Sequence, residues 1–225
     1  MENSFNQSSS LNELKKDAVT REYEIVDITE HGVEKTWVEV SVEDSVNLLL
    51  NGTRVASLTL TPKDLNAYAY GYCICEGLVP SINDITSVTV AHPDIFVTTD
   101  NPASDASSRT TEIRSSGCVG VKTTWESLTK PLPDGYSVDL QTIFDAMIKI
   151  QHLAKTWRIT GGTHCTVILD EHGEIKSAME DMGRHNSVDK AVGRALIEGV
   201  DLSQCFMVCT GRLPAGMVAK AYRAG

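Results

Sequence analysis

Four short stretches of this chain carry residue types that could do chemistry. The first is Arg114-Ser-Ser-Gly-Cys-Val-Gly-Val-Lys122. One thiol sits between two glycines, with a basic residue at each end. Thiols react as thiolates, and neighbouring positive charge or a helix N-terminus lowers their pKa. Arg114 and Lys122 supply the charge. Gly117 and Gly120 take away side chains that would block an approaching molecule. The plain alternative is a loop cysteine, Cys118, without a role.

The second stretch is Thr160-Gly-Gly-Thr-His-Cys165, just before a predicted strand. Its glycines permit close backbone approach to a ligand, and His164 could donate a hydrogen bond or move a proton. A lone histidine is as readily structural. The third is Met179-Glu-Asp-Met-Gly-Arg-His-Asn-Ser-Val-Asp-Lys190, where a strand gives way to a helix. A helix cap would account for Glu180, Asp181 and Asn186. It would not account for Gly-Arg-His beside them. Arg184 near a helix N-terminus suits a phosphate. His185 and Asp189, four apart on a helix, could pair. The fourth stretch, Thr210-Gly-Arg-Leu-Pro-Ala-Gly216, leaves a buried strand and opens a helix. Ligands bind at the carboxyl ends of strands in open α/β sheets. Gly211, Arg212 and the following backbone N–H groups could cradle an anion.

Several chemistries are disfavoured. His and Cys do not fall at zinc spacings, so no metal site is expected. The H-x-E and P-C-x-x-C signature of zinc deaminases is missing, as is the G-x-S-x-G elbow of hydrolases. Of the six cysteines, Cys73, Cys75, Cys165, Cys205 and Cys209 lie in apolar runs. Buried cysteine behaves as a small hydrophobe, and those five are expected to do so.

The elements that must position these residues follow from pattern. Residues 1–20 are polar, without periodicity, and read as a disordered tail. Residues 21–135 read as a strand-rich region with one helix and the Cys118 loop. There, Asn51-Gly52 between two apolar runs predicts a tight hairpin, and Thr61-Pro62 predicts a helix start with a stop near Gly77. Residues 136–225 read as a layered α/β core with helices over a mixed sheet. Its first helix is predicted over Asp139–Trp157, with Ile143, Met147, Ile150 and Ala154 on one face. A strand and helix finish at Gly225, where an α/β unit would return with another strand, so a chain cut short is expected.

Bulk properties narrow the function classes. The 225 residues carry 30 acidic and 20 basic side chains, a net charge of −10. That argues against general nucleic-acid binding, which needs clustered Lys and Arg. No apolar run reaches the ~20 residues of a membrane span, and the N-terminus has no signal-peptide core. A cytoplasmic protein is expected.

Three blocks, "TGGTH", "EDMGRHNSVDKAVG" and "TGRLPAGMVAKAYRAG", closely resemble those of the FdhD family, the formate dehydrogenase accessory proteins. The resemblance implies a cytidine-deaminase-like α/β core without the deaminase zinc. It implies a sulfurtransferase that carries sulfur as a persulfide on a loop cysteine, by motif position Cys118. The donor would be a cysteine desulfurase. The acceptor would be the molybdenum or tungsten bis(molybdopterin guanine dinucleotide) cofactor, before it enters formate dehydrogenase. Arg184, His185 and Lys190 would then bind phosphates or steady the delivered anion, Gly211 and Arg212 would line the nucleotide cleft, and His164 would lie in its wall. A homodimer is implied too. Two departures stand out. Many members carry a C-x-x-C pair where this chain has Cys118-Val-Gly-Val121, which leaves a single-carrier mechanism. Members also continue past the position of Gly225 with a segment implicated in cofactor binding. The rival is a non-catalytic chaperone of the cofactor, which Cys118 would merely touch.

Overall fold

The computed structural model describes residues 19–102, the backbone of 112–114, and residues 135–225. Cys118 and its loop lie outside the described residues, as does the 1–18 part of the tail.

The chain opens with a two-stranded ribbon, β1 (Thr20–Thr29) and β2 (Gly32–Ser41), paired antiparallel over all its length. The predicted hairpin follows. β3 (Asp44–Leu50) and β4 (Thr53–Leu60) flank Asn51 and Gly52, both at positive φ (47° and 81°). This is the conformation such a tight turn demands. β5 (Ile85–Ala91), β6 (Asp94–Thr99) and β7 (Glu112–Arg114) complete a five-stranded mixed sheet in the order β5-β6-β3-β4-β7. The second half holds a three-stranded antiparallel sheet, β10-β8-β9, from β8 (His164–Asp170), β9 (Ile175–Asp181) and β10 (Cys205–Cys209). The mixed pairing expected in this half is found in the first half instead.

Helices fill the space between the sheets. α1 (Leu65–Cys75) lies on the five-stranded sheet and is buried almost all round. α4 (Arg184–Ile197) and α5 (Ala215–Ala224) cover one face of the three-stranded sheet. α2 (Leu140–Leu153) and the short α3 (Lys155–Thr160) precede that sheet, and α2 covers its other face. α1 and α4 press together at two glycines. A Cβ on Gly71 would fall 1.7 Å from the Asp189 carbonyl oxygen, and one on Gly193 would fall 1.8 Å from that of Ala67. No other residue fits either position without parting the helices. The first region's α1 and the second region's α4 are therefore in direct contact.

Two local expectations change. α1 begins at Leu65, after Asp64 at φ 54°, not at Thr61. Thr61 is occupied elsewhere: its N–H donates to Asp181, its carbonyl accepts from Lys190 and its hydroxyl accepts from the Met182 N–H. The helix predicted over Asp139–Trp157 breaks at Ala154. Both carboxylate oxygens of Glu180 draw away the next free N–H groups, those of Thr156 and Trp157, at 2.9 Å each. A carboxylate at a helix N-terminus is favoured by the helix dipole, so α3 starts there. The buried face of α2 is Ala146, Ile150 and, at its end, Ala154, while Met147 is exposed.

No described helix is long and apolar enough to cross a membrane.

Candidate functional site at one end of the three-stranded sheet

β9 and β10 both run antiparallel to β8, so their carboxyl ends lie where β8 begins. His164, the first residue of β8, faces Asp181, the last of β9. On the other side Cys209 faces Thr166. The ladder then extends by one step, because Thr210 N–H donates to the Cys165 carbonyl and Cys165 N–H donates to Thr210 Oγ1, both at 3.0 Å. The three strings singled out in the sequence thereby meet at one corner.

Gly211 is a close-packed point of that corner. A Cβ there would lie 3.2 Å from Arg184 Cδ, 3.3 Å from its Cβ and 3.3 Å from His164 Nδ1. The backbone of the β10–α5 loop thus stacks against the Arg184 stem and the His164 ring. Thr210 Oγ1 lies 3.5 Å from His164 Nδ1. Burial and the Arg184 charge lower the His164 pKa, outweighing the Thr210 carbonyl and Asp181, which raise it. The imidazole is therefore neutral at neutral pH. Arg184 Nε is buried and has no hydrogen-bond partner among the described residues. A buried donor without an acceptor costs about 1–3 kcal/mol. An anion oxygen would satisfy it. Arg212 is exposed on the adjoining loop, and His185 is half-buried in the first turn of α4.

The same block supplies an interior quite different in character. Asp181 is fully buried and accepts from Thr61 N–H (3.1 Å), Gly183 N–H (2.8 Å), Asn186 Nδ2 (3.1 Å) and Lys190 Nζ (2.7 Å). It thereby fixes the turn from β9 into α4. The helix-cap alternative does not account for Asp181 and Asn186: the cap position of α4 is Gly183, without a side-chain cap bond, and both residues are buried in this network. Lys190, expected among the phosphate ligands, is not at the corner. It has no exposed surface, and its ammonium is held by Asp181 and by the Thr61 carbonyl at 2.8 Å. Asp189, expected to pair with His185, instead binds Lys220 at 2.8 and 2.9 Å, and Lys220 also binds Glu76 at 2.6 Å. Burial, aided by Glu76 and opposed by Lys220, pushes the Asp189 carboxyl up to about 6. Burial works against the Lys220 charge, but Asp189 and Glu76 outweigh it and hold its pKa up. This ion cluster ties α5 to α1 and α4. The sequence carried one clue to it: Lys220 stands three residues after Met217, on the apolar stripe of α5.

A separate cleft of ≈ 140 Å³ opens towards α2 and α3, with Thr61, Thr163, Cys165 and Glu180 in its wall. Glu180 is already committed there, accepting from Thr163 Oγ1 at 3.0 Å as well as from α3. No group of three or more side chains arranged to hold a metal occurs among the described residues.

The five described thiols are poor nucleophiles. Burial pushes Cys73 and Cys165 up to about 12 and Cys209 to about 11. Burial also raises Cys75, with Asp189, and Cys205, with Asp170.

Residues 41–225 match the model of the FdhD/NarQ family. The chain belongs to that family. Among its relatives, the sulfur carrier protein FdhD of Methanothermobacter thermautotrophicus is 32% identical over 180 residues, which is 80% of this chain and 71% of that protein. The sulfur carrier protein FdhD of Wolinella succinogenes is 30% identical over 187 residues, covering 80% of this chain and 64% of that one. The chain thus spans between about three fifths and three quarters of the length of these FdhD relatives. A crystal structure of a formate dehydrogenase accessory protein from Desulfotalea psychrophila superposes with a TM-score of 0.75 at 24% identity, covering 92% of this chain and 81% of that one. The fold is therefore that of this family, an α/β architecture. The β1–β2 ribbon lies almost entirely ahead of the family match.

Proposed function

We propose that this FdhD/NarQ chain is a cytoplasmic sulfur carrier serving formate dehydrogenase, with Cys118 as the carrier. The Cys118 thiolate attacks the sulfane sulfur of a persulfide on a cysteine desulfurase. A new S–S bond forms on Cys118 Sγ, the donor's S–S bond breaks, and the donor cysteine leaves as thiolate, with no net oxidation. The loaded Cys118 persulfide is the form presented to the molybdenum or tungsten bis(molybdopterin guanine dinucleotide), which is the substrate. A thiol reductant supplies the two electrons as the Cys118 S–S bond breaks, the sulfur leaves as sulfide and the Cys118 thiolate is restored.

The observation that carries the reading is the His164–Arg184–Gly211 corner in a chain of this family. Its residues fit a phosphate of the guanine dinucleotide: Arg184 Nε lacks a partner, and bare Gly211 leaves backbone where a side chain would crowd both His164 and Arg184. His185 and Arg212 stand beside it and would reach neighbouring phosphates. The names of the relatives supply the sulfur chemistry, and the raised pKa values of the five described thiols leave Cys118 as the candidate nucleophile.

The test is intact mass after incubation with a cysteine desulfurase and cysteine. Wild type gains one sulfur atom, reversibly by reductant, and Cys118→Ala does not. Wild-type protein that stays unmodified beside an active desulfurase would replace this reading with that of a cofactor chaperone.

A further inference from the structure

The corner holds one imidazole among fixed charges, and its neutral state depends on what the corner contains. We infer that His164 takes up a proton when an anion binds at this corner, so that anion affinity rises as pH falls. The inference rests on the reading of the corner as an anion site.

The groups that face His164 are few. Arg184, from the start of α4, contributes a positive charge. Asp181 stands opposite in the β8–β9 register, but its charge is shared with Lys190 at 2.7 Å. Thr210 and Gly211, from the end of β10, lie against the Nδ1 side of the ring. Cys165 and Glu180, next along β8 and β9, form the adjacent cross-strand pair and so project from the other face of the sheet. Arg212 is exposed on the loop beyond.

Without an anion, burial and the Arg184 charge both disfavour the imidazolium. A dianion on Arg184 Nε changes the second of these influences. It neutralises the guanidinium field and sets an opposite charge beside the ring, which favours the imidazolium. Thr210 and Gly211 lie on the Nδ1 side, and the Arg184 stem meets the same Gly211 position. Once protonated, both ring nitrogens donate, so the ring offers the corner a second donor and a positive charge. One proton is then bound per anion, taken from solvent.

Sulfate is the suitable probe, because it stays a dianion throughout the range in which histidine titrates. Sulfate binding to the wild-type chain is measured by calorimetry between pH 5.5 and 8, in two buffers of different ionisation heat that carry neither sulfonate nor phosphate. The inference predicts a buffer-dependent enthalpy equal to uptake of close to one proton. It also predicts affinity that strengthens by up to about tenfold per pH unit. In His164→Gln the binding is weaker and its pH dependence flat. An NMR titration of the His164 ring in wild type gives the same answer without a variant: its pKa lies below the ordinary value alone and above it with sulfate. Binding without proton uptake would overturn the coupling and leave the anion site standing. Uptake that persists in His164→Gln would also overturn it. No sulfate binding at any pH would overturn both this inference and the anion-site reading.

Discussion

Two regions that both draw on the Met179–Lys190 block differ in one respect. Inside, each charge is hydrogen-bonded to an opposite one: Asp181 to Lys190, and both Asp189 and Glu76 to Lys220, all at 2.6–2.9 Å and nearly without exposure. At the corner, Arg184 Nε is buried without a partner and His164 is held neutral. Buried charge that is fully paired positions helices. Buried donor capacity that is unspent marks where a ligand fits. Lys190 and Arg184 are six residues apart, yet belong to opposite classes.

The largest expected effect breaks the interior. Lys190→Met leaves Asp181 buried and uncompensated, which costs about 3–5 kcal/mol. Chemical denaturation would show it, and adding Asp181→Asn should recover part of the loss. A midpoint unchanged by Lys190→Met would place the lysine outside the scaffold.

Gly211→Ala acts on the corner. The added methyl meets Arg184 and His164 at 3.2–3.3 Å, so those side chains must yield by a few tenths of an ångström. Overpacking of this kind costs roughly 1–3 kcal/mol. Part of it should appear as anion affinity, with GDP binding weakened about tenfold while the thermal transition stays cooperative.

The smallest effect is in the pH dependence of stability without ligand. The folded pKa of His164 is lowered, so below about 6.5, the unfolded value, the unfolded chain binds a proton that the folded chain refuses. Stability contributed by neutral His164 is thus present at higher pH and lost as pH falls through 6.5. His164→Gln should flatten the slope of stability between pH 6.5 and 5 relative to wild type. An unchanged slope would mean that the ring titrates alike in both states.

How much of this was legible beforehand depended on the range of the interactions. The β3–β4 hairpin was readable because Asn51-Gly52 settles it locally. β10 and α5 were readable because Pro214 and the apolar run mark them. The start of α1 was not, because Thr61 is claimed by Asp181 and Lys190, 120 and 129 residues away. The break at Ala154 was equally hidden, since alanine itself favours a helix and Glu180 is what ends it. At the candidate site, His164, Arg184 and Gly211 were each visible as unusual residues beside glycine and strand ends. Their meeting needed the register of β8 against both neighbours. Lys190 was misplaced because a basic residue in a polar block looks solvent-facing until its carboxylate is known.

The measurement that tests the account most directly is GDP affinity and thermal stability of Arg184→Gln beside wild type. The account predicts an intact fold, and binding weakened roughly 10–100-fold by loss of a charge-assisted hydrogen bond worth about 1.5–3 kcal/mol. An Arg184→Gln protein that binds GDP as wild type does, or that unfolds as Lys190→Met is expected to, would contradict the division between paired interior and unspent corner.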